Sequence, residues 1–203
     1  MSVNLYLVRH ALKKKEIGDV PITPEGRKQA QDTAQYFSTI PVTAIVSSPL
    51  RRAQETAAAI AERTNATVNI DARLRERANW GDVPDQTFQE FVELWDRCTR
   101  DPDFVPPVGD SAKVACDRMS SLLADLVQEY PAGSHIVIVT HGGLITDYLA
   151  NTYAEETLNR FHPQFKIEQS QIVSECSITK LSYENENYTI EYFASVEHLK
   201  SGR

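Results

Sequence analysis

The sequence predicts an α/β protein, a three-layer α/β/α sandwich with a mostly parallel central sheet and a small helical and loop insertion. Three observations lead there. Short apolar runs alternate with segments of helical period. Some runs, such as IVIV at 136–139, are continuously apolar, as burial on both faces requires. After Glu175 the pattern changes to two β-rich runs around Glu184-Asn185-Glu186-Asn187, which reads as a hairpin.

The elements follow in order. Asn4–Val8 reads as the first strand. Thr23-Pro24 should open the first helix, because Thr caps well and Pro lacks only an N–H that has no partner in the first turn. Thr43–Ser47 is the second strand. Ser48-Pro49 repeats the start signal before Leu50, Ala53, Ala57, Ile60 and Ala61, an apolar face at helical spacing. Thr67–Ile70 is the third strand. The segment 79–109 differs from its surroundings: one amphipathic helix (Phe88, Phe91, Val92, Trp95) and a loop rich in Asp and Pro, expected as an insertion over one edge of the sheet. Asp110 or Ser111 should open a longer helix marked by Ala115, Met119, Leu122, Leu123, Leu126 and Val127. His135–Thr140 is the next strand, and Gly142-Gly143 precede a helix running to about Thr152.

The chain has 203 residues, 41% of them apolar and 24% charged. At that length about 70% of the extended surface can be buried, enough for one core without staples. A single domain over 1–203 is expected. With 21 Lys+Arg against 28 Asp+Glu, the net charge of −7 argues against a nucleic-acid or anionic-membrane binder. Cys98, Cys116 and Cys176 are odd in number and far apart, with no C-x-x-C, which fits reduced thiols in a cytoplasm. The N-terminal stretch has no basic region ahead of its short apolar run, so no signal peptide is expected. No apolar run approaches ~18 residues.

Two stretches resemble each other. LYLVRHA (5–11) and IVIVTHG (136–142) are apolar strands that each end in a His followed by a small residue. Ligands of open parallel sheets bind at the carboxyl ends of strands. If the two strands are neighbours, His10 and His141 face each other there. TAIVSS ends at the same edge and leads into Arg51 and Arg52, whose helical phases do not separate them. A metal site fits poorly, because Arg9 adjoins His10 and no short-spaced carboxylate or thiolate ligands accompany it. A serine hydrolase fits poorly too, for want of G-x-S-x-G. Glu76, within Arg75-Glu76-Arg77, reads by itself as a surface ion pair. Two Arg and two His together suit a phosphoryl group: Arg matches phosphate oxygens, a neutral imidazole can attack phosphorus, and a nearby carboxyl can protonate the leaving oxygen.

With these residues in view, the chain resembles the histidine phosphatase superfamily, with its phosphoglycerate-mutase-like fold, from Leu5 to about Leu199. The resemblance rests on VRHA (8–11), ITPEGRKQA (22–30), SSPLRRAQETA (47–57), LRERANWG (74–81), GDS (109–111) with Arg118, VTHGG (139–143), and ECSIT (175–179) with His198-Leu199. It implies that His10 is the nucleophile that becomes phosphohistidine and that Arg9 and Arg52 bind the phosphoryl oxygens, Arg51 falling at a variable surface position. His141 would complete the pocket. Glu76 would donate a proton to the leaving group and then activate water, with Asp82 as the fallback. Thr23 falls near the phosphate in the family. Ala11 stands where the family usually has Gly, and Glu76 is followed by one residue more than usual before Gly81.

The resemblance implies a metal-independent phosphomonoester hydrolase without cofactor, acting in the cytoplasm on a small phosphorylated metabolite, as a monomer or homodimer. Two alternatives stand beside it. A cofactor-dependent phosphoglycerate mutase would carry Trp-Asn soon after the first motif and Glu-Arg-His-Tyr-Gly later; LKKK (12–15) and ERANWG (76–81) stand here instead. A non-catalytic phospholigand or protein-binding member would lack a catalytic residue. Trp80, Phe88, Phe91 and Trp95 either line the site or pack the insertion, and helical spacing favours packing for the last three. Lys13, Lys14 and Lys15 either attract a multiply charged ester or form a solvated loop. The charge should divide into a locally basic pocket and an acidic excess elsewhere, for example at 82–103 and 184–191.

Overall fold

Strands with apolar side chains on both faces need a cover on each, and the chain supplies it. The computed structural model describes residues 1–199. Its sheet has strands β1 (Val3–Arg9), β2 (Ala44–Ser47), β3 (Val68–Ile70), β4 (His135–Thr140), β5 (Ile178–Glu184) and β6 (Asn187–Ser195), in the order β3-β2-β4-β1-β5-β6. The first four are mutually parallel; β5 runs antiparallel to β1 and to β6. Alternate residues feed two cores. Leu5, Leu7, Ile136 and Ile138 point to one face, packed by α4 (Ala112–Glu129) and α5 (Gly142–Thr152). Tyr6, Val8, Val137 and Val139 point to the other, packed by α1 (Pro24–Phe37) and α2 (Arg51–Thr64). The three-layer sandwich expected from the sequence is therefore present.

Most helix starts follow local chemistry. Thr23 caps α1 by accepting the Gly26 N–H at 2.9 Å, and Ser111 caps α4 by accepting the Val114 N–H at 3.1 Å. Such caps are each worth about 1 kcal/mol. The expected start of α2 at Ser48-Pro49 is corrected: the helix begins at Arg51, with Leu50 at its cap position and no side-chain cap. The Ser48 hydroxyl is held instead by a turn to Leu50 N and by His141.

Between β3 and α4 lies the 79–109 segment, with the single helix α3 (Phe88–Arg100) opened by a reciprocal Thr87–Glu90 capping box. Short helices α6 (Glu155–Leu158) and α7 (Phe165–Glu168) lead from α5 toward β5. The β5–β6 hairpin turns on Asn185 (φ 51°) and Glu186 (φ 62°), two residues in the left-handed region. That is the two-residue turn whose twist matches the flanking strands, and it favours Asn-Gly. Glu carries a Cβ penalty at the second position. Glu186→Gly is therefore expected to stabilise the protein by about 0.5–1 kcal/mol, read as a higher thermal midpoint with unchanged activity. A lower midpoint contradicts this account of the turn.

Candidate active site

The parallel pairing of β1 with β4 sets Val8 opposite Val139 and Arg9 opposite Thr140. One residue further, His10 N donates to Thr140 O at 2.9 Å, and the imidazoles of His10 and His141 come to 5.2 Å between ring centres. β2 pairs with β4 on its other side and ends at Ser47, so Ser48 N reaches Val139 O at 2.9 Å. Three strands thus end at one level, and the conditional expectation that the two histidines meet is met. Ala11, where a Gly was the family habit, is fully buried with an ordinary negative φ, and its N–H donates to Thr56 Oγ1 at 3.0 Å.

The hydrogen bonds of His10 define its tautomer. Nδ1 lies 2.8 Å from Ala11 O, which only accepts, so Nδ1 carries the proton. Nε2 receives the Arg52 Nε–H at 3.1 Å, so Nε2 carries the lone pair. Burial first, then Arg52 and Arg9, drives the His10 ring well below the ordinary histidine value. His141 is driven down likewise, by burial and then by Arg52. Both rings are therefore neutral at neutral pH.

Arg52 is 3% exposed and lies against His10, whereas Arg51 is exposed and pairs with Glu55 at 2.9 Å. The structure makes the distinction that helical phase left open. Arg9 is fixed from the other side, donating to Val173 O at 2.5 Å and pairing with Glu175 at 2.7 Å. Among the described residues, three buried nitrogens of this cluster have no hydrogen-bond partner: Arg9 Nε, Arg52 Nη1 and His141 Nδ1. Buried donors without acceptors are costly, and an oxyanion is the chemistry that satisfies several at once.

Glu76 completes the group. Its Oε1 accepts the Arg77 N–H at 3.0 Å and its Oε2 accepts the Gly143 N–H at 3.1 Å, in the first turn of α5. A carboxylate at a helix N-terminus is favourably placed. A Cβ on Gly143 would lie 2.3 Å from Trp95 Cη2 and 2.7 Å from Glu76 Oε1, so glycine there admits both side chains.

These residues open into one cleft of about 540 Å³, lined by Arg9, His10, Lys13, Arg52 and Glu76 together with Trp80, Phe88, Phe91, Val92 and Trp95. The expectation that Phe88, Phe91 and Trp95 pack the insertion is half of the outcome: the rings pack on one another, and they also line the cleft. Their helical spacing is real, but the face it makes is the cleft wall, and Phe88 is 57% exposed. Their rings run in series, Phe88 to Phe91 at 6.3 Å and Phe91 to Trp95 at 6.0 Å. Of the three lysines only Lys13 lines the cleft, and its pKa is lowered by burial and then by Arg52 and Arg9; Lys14 and Lys15 are exposed outside it. The cleft is lined by three cations against Glu76 and Asp96, so one carboxylate of the acidic 82–103 stretch lies inside the basic region rather than away from it.

Two predicted residues are not brought to the cleft. The Thr23 hydroxyl is used as the α1 cap and donates to Leu12 O at 3.2 Å, and Thr23 is not among the cleft-lining residues. Asp82 accepts the Asn79 N–H at 3.1 Å and lies 3.6 Å from Arg75, in a neighbouring depression. Sequence reasoning missed Glu175 and Ser48 as members of the site, and left Lys13 open between cleft and solvated loop. Glu175, an acid beside the last sheet motif, was the legible signal among them. The Arg75-Glu76-Arg77 run is likewise not one surface cluster: Arg77 is buried against Asp147 at 2.5 Å.

The chain is 30% identical to a protein of Klebsiella pneumoniae named probable phosphoglycerate mutase GpmB, over 97% of this chain and 95% of that one. It is 28% identical to the uncharacterized phosphatase PhoE of Bacillus subtilis, over 95% of each. Among solved structures, a mycobacterial glucosyl-3-phosphoglycerate phosphatase superposes with a TM-score of 0.74 at 25% identity, over 96% of this chain and 100% of that one. The sequence pattern of the histidine phosphatase superfamily (branch 1) matches residues 5–195, and the chain belongs to that family of enzymes.

Proposed function

We propose that this protein is a metal-independent phosphomonoesterase that works through a phosphohistidine on His10. The observation that carries the reading is the His10 tautomer: a neutral ring whose Nε2 lone pair faces the Arg52 guanidinium, with Nδ1–H anchored on Ala11 O. Arg52 and Arg9 bind the phosphoryl oxygens and supply the positive charge that a metal supplies elsewhere. Ser48 Oγ accepts the Leu50 N–H and lies 2.7 Å from His141 Nε2. With the hydroxyl donating to Nε2, His141 Nδ1 carries a proton that it can give to a phosphoryl oxygen.

Nε2 attacks phosphorus as the ester P–O bond breaks. The departing oxygen takes the proton of the Glu76 carboxyl, and the ring, now bonded to phosphorus, keeps its Nδ1–H on Ala11 O, which stabilises the developing positive charge. Glu76, now ionised, takes a proton from water as that water attacks phosphorus; the N–P bond breaks, phosphate forms and Nε2 regains its lone pair. In-line displacement puts the leaving group opposite Nε2, toward Glu76 and the aromatic wall.

A phosphoglycerate mutase is the second reading, favoured by the name of the Klebsiella relative. It requires the phosphoryl group to return to a second hydroxyl of a carboxylate-bearing substrate, for which Lys13 is the cleft cation beyond the two arginines. Interconversion of 2- and 3-phosphoglycerate at a rate exceeding phosphate release decides for the mutase.

Hydrolysis of p-nitrophenyl phosphate is expected to proceed undiminished in EDTA, and His10→Ala should lower it by on the order of 10³-fold or more. Full activity in that variant rejects the nucleophile. The depressed pKa values give a second expectation. A group lowered below its ordinary value is neutral at every pH above the lowered value, so neither His10 nor His141 should show a titration midpoint near 6.5 by ¹⁵N NMR. The His10 shifts should report protonated Nδ1 and unprotonated Nε2; the opposite pattern contradicts the mechanism.

A further inference from the structure

Arg77 follows the proposed proton donor in the chain, yet its side chain leaves the cleft and is 2% exposed. Its guanidinium meets three partners on two helices. It donates to Asp147 Oδ1 of α5 at 2.5 Å, to Trp95 O of α3 at 2.9 Å and to Thr99 Oγ1 of α3 at 2.5 Å. It also lies 3.9 Å from the centre of the Trp95 ring. The same ring approaches Gly143, where a Cβ would come within 2.3 Å of Trp95 Cη2. The Trp95 side chain thus contacts both the Arg77 guanidinium and the first turn of α5. Asp147 itself is 1% exposed, and burial raises its carboxyl to about 7.

The backbone of the same residue is tied as firmly. Arg77 N donates to Glu76 Oε1, and Arg77 O accepts the Asp110 N–H at 2.8 Å. Glu76 is consequently fixed by two N–H groups, those of Arg77 and Gly143. The side chain of Arg77 ties the first of these to the helix that carries the second. Asp147 lies one turn beyond Gly143 on α5.

We propose that Arg77 is a positioning residue that holds Glu76 and Trp95 in place at the mouth of the phosphoryl site by joining the 76–78 loop segment and helix α3 to helix α5. The inference rests on the reading of Glu76 as proton donor. A buried arginine with a fork on both helices does this where lysine, with one ammonium, would not. Loss of the clamp frees the carboxyl without removing it, so its effect should track the need for a proton at the leaving oxygen. It should not track phosphate binding.

Two esters of one shape make the test. p-Nitrophenolate leaves without a proton, whereas the leaving oxygen of phenyl phosphate, with a conjugate-acid pKa of about 10, needs one. kcat/KM reports the steps through phosphoryl transfer to His10. Arg77→Met is expected to lose at least about tenfold more kcat/KM on phenyl phosphate than on p-nitrophenyl phosphate, as Glu76→Gln should. Amide hydrogen exchange should quicken at Gly143 and along α3 while β1 and β4 stay protected. Equal losses on the two esters, or unchanged exchange at Gly143, overturn the proposal. If the unaltered protein hydrolyses neither ester, the phosphatase reading fails, and the exchange at Gly143 and α3 alone decides the clamp. Should Arg77→Met not fold, Arg77→Met with Asp147→Leu leaves no uncompensated charge and carries the same expectations.

Discussion

Two parallel strands in register place both histidines, and the rest of the site is arranged around that pairing. The β1–β4 ladder sets Arg9 against Thr140, and the last hydrogen bond of the ladder runs from His10 N to Thr140 O. A slip of one residue would turn every side chain of β1 to the opposite face. Leu5 and Leu7 would then leave one core, and Tyr6 and Val8 the other. The hydrophobic pattern of the strands therefore locks the distance between the two imidazoles. β2 extends the same lock through Ser48 to His141 and delivers the first turn of α2, with Arg52, against His10.

The cost of that convergence is electrostatic. Arg9, Arg52 and Lys13 are brought together beside two buried rings, where like charges repel one another. Several features relieve it. The histidines remain neutral, Glu175 pairs with Arg9, and the Lys13 pKa is lowered. What is left is a set of buried donors suited to an oxyanion, inside a chain whose net charge is −7. Net charge and site charge are separate quantities here, because the acidic residues are mostly on exposed faces while Arg9, Lys13 and Arg52 are gathered at the strand ends.

The other half of the cleft belongs to the 79–109 segment. Its helix α3 makes an apolar face by helical spacing, as a core helix does, but the partner of that face is the space above the strand ends. The ring of Trp95 meets α5 at a glycine, and Glu76 meets it at the same glycine. Gly142-Gly143 thus do more than start a helix: the absence of a side chain at 143 lets a carboxylate and an indole both reach the helix N-terminus.

By itself the sequence determined the alternation of strands and helices, the two-faced sheet, the hairpin, and the residues Arg9, His10, Arg52 and His141 that meet at one edge. Each of these is written locally, in periodicity, capping residues or motif order. Tertiary structure decided what local pattern cannot carry. It placed Arg52 and not Arg51 against His10, a choice that helical phase leaves open and the family motif implied. It moved the start of α2 past Ser48, whose hydroxyl accepts the Leu50 N–H in a turn and meets His141 from across the sheet. It turned Arg77 from an apparent surface charge into a buried pair with Asp147, 70 residues away. Burial and long-range partners depend on which surfaces meet after folding, and a linear pattern records only the faces that are available to meet.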